Sequence, residues 1–315
     1  MDTETIDLRV LEPPEADHLV CLDKKRWLKR RGEGLGSSDA PIVLNIAPWS
    51  SRIQLWGEKS GLVEPEELKG DYLDWGNKME PLIADEFAGR TGREVLELPT
   101  HSVYRNRDRP HLLASPDRLQ VFPDGEIGIL ELKNVSGFKA GEWEDEPPLH
   151  YQVQVQHQLL VTGMKRASIA ALIGGNKFVH FDVEVNAHFT DKLIAECEVF
   201  WGYVERQEQP PEMDGSEATK RVLERLYPAE TGSTVNLPPE AVGLDAERLE
   251  LEMGLKTREK RIAVIKNQFR SWIGDNTFGV CSDGVVYSYK TVKRQFYVVP
   301  EKSYRSLRRK AAPKR

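Results

Sequence analysis

The stretch LLASPDRLQVFPDGEIGILELK, residues 112–133, decides how the rest of the chain is read. Polar and apolar residues alternate on either side of a central break, the pattern of half-buried strands. The spacing predicts strands over 111–122 and 126–133, joined by Phe122-Pro123-Asp124-Gly125-Glu126, where Asp124-Gly125 signals a hairpin turn. Side-chain alternation puts Ile129, Glu131 and Lys133 on one face of the second strand and Leu130 and Leu132 on the other. The hairpin also carries Asp117 back toward Glu131 and Lys133. Two carboxylates and an ammonium at one spot of an apolar strand are costly to bury, and a hard divalent cation resolves the conflict. Mg²⁺ is commonly held by one or two carboxylates together with water and phosphate oxygens. A lysine beside it can orient or deprotonate a bound water. On spacing alone, a turn aspartate followed by a solvated strand face is an equal reading.

Upstream, the pattern is helical. Residues 22–31 read as a short basic helix containing Trp27, followed by a glycine-rich turn and Ser37-Ser38-Asp39, any of which can cap a helix starting near Ala40-Pro41. Residues 51–60 form another helix ended by Gly61. A third opens at Trp75-Gly76-Asn77-Lys78-Met79-Glu80-Pro81 and runs to about Gly89, with Pro81 in its first turn. Downstream follow a helix over 149–162, strands over 167–173 and 178–185 around Gly174-Gly175-Asn176-Lys177, and a helix over 188–206. Pro210-Pro211 opens a polar stretch that marks a domain boundary, giving units 1–211 and 212–315. Beyond it, Leu251, Leu255, Ile262, Ile265, Phe269 and Trp272 fall on a 4-3 spacing broken only by Arg258. This suits a packed helix or a short coiled-coil arm. Residues 277–299 read as strands around Ser282-Asp283-Gly284, ahead of a basic tail.

Composition narrows the class. An apolar fraction of 39% with 30% charged residues excludes wholesale disorder, and no run approaches the ~18 apolar residues of a spanning helix, so no membrane role is expected. Three distant cysteines, Cys21, Cys197 and Cys281, exclude a cysteine-built zinc or iron–sulfur centre and fit a reducing cytoplasm. The seven histidines show no metal-ligand spacing; His157 reads as packing or solvent-facing. The net charge of −6 is uneven. Residues 289–315 hold ten Lys/Arg against Glu301 alone, which leaves −15 on the remainder and allows local phosphate contacts by the tail.

Ser115-Pro116-Asp117 followed by Glu131-Leu132-Lys133 resembles the PD-(D/E)XK nuclease signature. Four further motifs resemble, in order, its YqaJ-like viral recombinase branch, to which phage lambda-type exonucleases are related. They are Arg31 with Gly36-Ser37-Ser38-Asp39; Gly76 to Glu80; Gln152-Val153-Gln154 with Tyr151; and Phe200-Trp201. The match covers roughly residues 20–211. The resemblance implies an α/β (α+β) core with a central mixed sheet flanked by helices, plus a C-terminal helix-and-strand extension. It implies Mg²⁺, or Mn²⁺ in its place, held by Asp117, Glu131 and the Leu132 carbonyl, with Glu80 supporting the site. Lys133 would activate the attacking water and Gln154 would line the site. Tyr151 and Gln158 share the face of Gln154. Arg31, Ser38 and Ser115, with Tyr151, would receive DNA and its terminal 5′-phosphate, helped by helix amides after Ser38.

Read without the resemblance, Glu80 merely favours a helix dipole, the glutamines are surface residues, and Arg30 competes with Arg31 as the phosphate ligand. The implied function is a DNA exonuclease, 5′-to-3′ on duplex ends, serving phage-type recombination in a bacterial or phage-infected cell. A homo-oligomeric state and a single-strand-annealing protein as partner come with it. A structure-specific or nicking endonuclease with the same core, and a non-catalytic DNA-binding or assembly protein, are the alternatives.

Overall fold

The computed structural model describes residues 12–65, 70–230 and 232–292, side chains 72 and 73 excepted. Two compact units divide at Tyr227–Pro228. The first carries β1 (Ala16–Val20), α1 (Lys24–Gly32), α2 (Ala40–Val43), α3 (Arg52–Lys59), α4 (Asp71–Thr91), β2 (Glu94–Leu96), β3 (Ser102–Asn106) and β4 (Leu113–Ala114). It continues with β5 (Arg118–Val121), β6 (Ile127–Val135), α5 (Leu149–Thr162), β7 (Arg166–Ile173), β8 (Lys177–Glu184), α6 (Ala187–Arg206) and α7 (Glu217–Leu226).

The main sheet has the order β2-β5-β6-β7-β8. Its pairs are antiparallel except β6–β7, and that parallel step needs the crossover that α5 supplies. This is the mixed sheet flanked by helices that the motifs imply. β6 is buried on both faces. Leu130 and Leu132 pack under Ile83, Ala84 and Phe87 of α4, while Ile129 packs with Val155 and Leu159 of α5. The hairpin forms as the Asp-Gly pair directs, with Gly125 at φ +85°. Register sets Arg118 opposite Leu130, which brings Asp117 level with Glu131.

Three expectations change. The run 111–122 is not one strand: β4 joins β1 and β3 in a separate three-stranded sheet, and β5 joins the main one. Pro116 has no N–H to give a ladder, so the chain breaks pairing there and passes between sheets just before Asp117. α4 begins at Asp71, not near Trp75, so Pro81 lies inside the helix. Proline cannot bond the carbonyl of Asn77, so the helix continues past Glu80 with one hydrogen bond fewer. The units separate after Tyr227 rather than at Pro211, because α7 buries Val222 with Ile53 of α3 and Val63. Of the two readings of His157, packing holds: it is fully buried, and neither ring nitrogen has a hydrogen-bond partner.

Burial lowers the His157 pKa to about 4. A base whose folded pKa is depressed leaves stability intact above its unfolded value near 6.5. That stability is lost as pH falls from there toward about 4, up to about 3 kcal/mol. His157→Leu is expected to flatten the acid limb of the stability curve without cost at neutral pH. Thermal melts from about pH 7 to pH 4 check this, and an equally steep acid limb in the variant rejects it.

The second unit carries α8 (Ala241–Ile273) and a hairpin of β9 (Phe278–Val280) and β10 (Val286–Ser288) turning at Gly284. The first eleven residues and the basic tail from Lys293 onward lie outside the described residues. Among the described residues no helix is long and apolar enough to cross a membrane.

Candidate active site

β5 and β6 place the charged residues, and α5 and α4 close over them. The Leu132 N–H donates to Asp117 Oδ2 at 2.8 Å, fixing that carboxylate across the hairpin. Glu131 is 1% exposed. Its Oε1 accepts from Lys133 Nζ and from Gln154 Nε2, and its Oε2 accepts from Gln158 Nε2 at 2.7 Å. The Lys133 ammonium also lies 5.1 Å from the centre of the Tyr151 ring, which itself rests against Trp143. The spacing of Tyr151, Gln154 and Gln158 along α5 thus aims three side chains at two residues of β6.

Three carboxylates compete here. Burial, then the charge of Glu131 and that of Glu80, push the Asp117 carboxyl well above the ordinary range, although Lys133 and the Leu132 N–H pull the other way. Burial likewise raises Glu80, with Arg118 and Lys133 opposing and Glu131 adding to the rise. Burial alone would lower Lys133, but Glu131 and Asp117 overcome it and hold the ammonium protonated. Hard oxygen donors with surplus negative charge are the chemistry of a Mg²⁺ or Mn²⁺ site, so the residues fit the implied cation. Among the described residues no three of His, Cys, Asp and Glu form a ready-made cage. The Glu131 oxygens are engaged by Lys133 and the two glutamines, and Glu80 adds charge rather than a shared contact.

Beside Asp117 opens a cleft of about 580 Å³ lined by Trp27, Asn77, Glu80, Ser115, Asp117 and Arg118. Ser115, an expected phosphate ligand, is in that lining, and Arg31 and Ser38 connect to it through Trp27. Arg31 Nη2 donates to Ser38 Oγ at 3.3 Å, and the guanidinium lies 4.6 Å over the Trp27 ring. Trp27 Nε1 and Ser115 Oγ both donate to the Ser102 carbonyl, at 3.3 and 3.0 Å. These contacts link Arg31 and Ser38 to Ser115, two residues from Asp117.

Arg30 turns away to Glu33 at 2.7 Å on the exposed side, while Arg31 turns to Ser38 and Trp27. One expected contribution is missing. α2 is only four residues long, and the Asp39 carboxylate at its start accepts from Gly36 N and pairs with Lys59 at 2.8 Å, so helix amides do not serve an anion after Ser38.

Trp27, Arg118 and Gln158 join the site without having been assigned a role from sequence. Trp27 stands four residues before Arg31 and Gln158 four after Gln154, so helical spacing carried a signal for both. Arg118, which donates to the Asp117 carbonyl at 2.7 Å, had only its adjacency. Of the remaining motif, Phe200 is core and Trp201 stacks on His111, 5.8 Å centre to centre.

A parallel-stepped mixed sheet flanked by helices, with an aspartate, a glutamate and a lysine gathered at one hairpin, defines an α/β protein. Residues 26–165 match the YqaJ-like viral recombinase domain. The protein YqaJ of Bacillus subtilis (strain 168) is 34% identical over 266 residues, 82% of this chain and 81% of that one. The chain belongs to the YqaJ-like viral recombinase family. Among solved structures it is similar to an alkaline exonuclease from Laribacter hongkongensis, at 18% identity and a TM-score of 0.47 over 65% of this chain and 100% of that one. A phage related exonuclease from Haemophilus somnus 129PT is similar at 11% identity and 0.41, over 55% and 94%.

Proposed function

We propose that this chain is a divalent-cation-dependent deoxyribonuclease that degrades duplex DNA from its ends in the 5′-to-3′ sense. It would expose single strand for recombination in a bacterial or phage-infected cell, beside a single-strand-annealing partner. The observation that carries the reading is Asp117 set level with Glu131, beside Lys133, on a cleft lined also by Ser115 and by Trp27, over which Arg31 lies bonded to Ser38. Arg31 and the two serine hydroxyls grip a terminal 5′-phosphate, which fixes which phosphodiester reaches the carboxylates. Lys133, held protonated, donates to the water or to a phosphate oxygen and so orients the attack. Gln154 and Gln158 lock Glu131 in one rotamer, and Tyr151 supports the lysine. Mg²⁺ or Mn²⁺ held by Asp117, Glu131 and the Leu132 carbonyl, with Glu80 nearby, would stabilise charge on the scissile phosphate and acidify water. Catalysis belongs to the unit ending at Tyr227, and the C-terminal unit is separable from it.

Incubating the protein with Mg²⁺ and either linear or covalently closed circular duplex tests the reading. Loss of the linear form alone is expected; cleavage of the closed circle points to an endonuclease, and no cleavage of either rejects nuclease function.

The repulsion at Asp117 gives a second check. Its ionised form is penalised in the folded protein, so stability falls as pH rises from the ordinary carboxylate value through the raised one. A cation relieves that penalty. Mg²⁺ is therefore expected to raise the melting temperature more at about pH 8 than at about pH 5. The same shift in Asp117→Asn would place binding elsewhere.

A further inference from the structure

α8 is a helix of 33 residues that, among the described residues, buries only Ile273. At ~1.5 Å per residue it extends about 50 Å. Leu244, Leu251, Leu255, Ile262, Ile265 and Trp272 lie along it on a 4-3 spacing and are each between 41% and 68% exposed. Phe269 continues the seam and is partly covered by Tyr287 of the hairpin, 4.2 Å away. Arg248 and Arg258 occupy the two remaining seam positions. Such a stripe on a surface helix is either packed or sticky, and a 4-3 apolar seam is the geometry by which helices pack on one another.

The charges say what the seam packs against. Residues 241–256 carry Asp245, Glu247, Glu250 and Glu252 against Arg248 and Lys256, while residues 257–273 carry five Lys/Arg against Glu259 alone. Two copies in parallel register would set Glu247 beside Glu252 of the other chain and Arg261 beside its Lys266, both repulsive. Two copies running antiparallel lay each acidic half along the other's basic half and bring Glu252 near Lys266. The helix thus carries its own electrostatic complement, reversed in direction.

We infer that α8 is a self-association element: two copies of this chain pair through it as an antiparallel coiled coil. The acidic-to-basic gradient favours that partner, because a reversed copy of the same helix presents the matching order of charge at its ends, with Glu259 and Arg261 meeting their own copies at the centre. Arg248 and Arg258 interrupt the apolar seam and limit the stability of the pair in favour of one register, the usual effect of polar groups at such positions. Pairing does not depend on the nuclease reading.

The full-length chain tests it. Leu255→Asp with Ile262→Asp is expected to halve the solution mass measured by light scattering, with the circular dichroism of the remainder retained. A wild-type chain already at monomer mass, or a variant of unchanged mass, overturns the proposal. Orientation is read by short thiol cross-linking of Glu252→Cys and Lys266→Cys chains. Mixed, the two variants should cross-link to each other, and neither should cross-link to itself beyond the wild-type background. Self-cross-linking of either variant overturns the antiparallel pairing. Nuclease activity on linear duplex, assayed in parallel, keeps failure here separate from failure of the catalytic reading.

Discussion

Asp117→Asn is expected to abolish cleavage while raising the melting temperature. The two effects have one cause. Burial and the neighbouring charges of Glu131 and Glu80 hold the Asp117 carboxyl well above its ordinary pKa, so its ionised form costs folding free energy near neutral pH. An amide of the same shape still accepts the Leu132 N–H and removes the repulsion, but supplies no negative oxygen pair for a cation. Glu131→Gln should be equally inactive and less stable, because Lys133 then keeps its buried ammonium with only Asp117 to answer it. Lys133→Ala removes the donor and leaves Glu131 Oε1 to Gln154 alone. Each change should lower the rate by roughly 10³-fold or more, and combinations should be no worse than the singles, since the three act as one unit. End-labelled duplex degradation and thermal melts on the same preparations check both halves. An Asp117→Asn protein that is inactive and less stable would show that the carboxylate is not under repulsion. An active Lys133→Ala protein removes the lysine from the centre.

The centre was legible because its signal is local. Asp117, the Asp124-Gly125 turn, Glu131 and Lys133 all lie in one hairpin, so the turn and strand alternation offered their meeting as one of two equal readings. The helix 149–162 was legible for the same reason, since Leu149–Thr162 is bounded by Pro148 and by Gly163 in the left-handed region. What the sequence hid depends on long-range packing. The split of 111–122 between two sheets turns on β1 and β3 claiming β4, and β1 lies far upstream in sequence. The early start of α4 was masked by Pro81, read as a first-turn residue although tertiary packing against β6 holds the helix through it. α7 reads as linker by composition and joins the first unit only because α3 and Val63 offer Val222 a place to bury. For His157 the sequence left packing and solvent exposure open, and packing holds, although its unpaired ring nitrogens run against the rule that buried polar groups find partners.

Arg31→Ala is expected to erase discrimination between phosphorylated and hydroxyl 5′ ends. In the structure Arg31 alone of the Lys29-Arg30-Arg31 run turns inward, bonded to Ser38 and laid over Trp27, and Trp27 shares the Ser102 carbonyl with Ser115. A guanidinium held over an indole is restricted in rotamer and presents its planar fork in one orientation. A phosphate dianion gains charge-assisted hydrogen bonds there that a hydroxyl end cannot match. With no helix amides contributing after Ser38, Arg31 carries the largest share, and losing it should slow degradation of phosphorylated ends by roughly 10²-fold. Hydroxyl ends, already without that contact, should lose little. Arg31→Lys keeps the charge but not the fork, and should recover only part of the rate. The Mg²⁺-induced rise in melting temperature should persist in both variants, because the cation's ligands are untouched. Initial rates on the two ends, for wild type and the two variants, make the measurement. If wild type shows no preference for the phosphate, the pocket does not receive a terminal phosphate, and Arg31 serves only to brace Trp27 against the cleft wall.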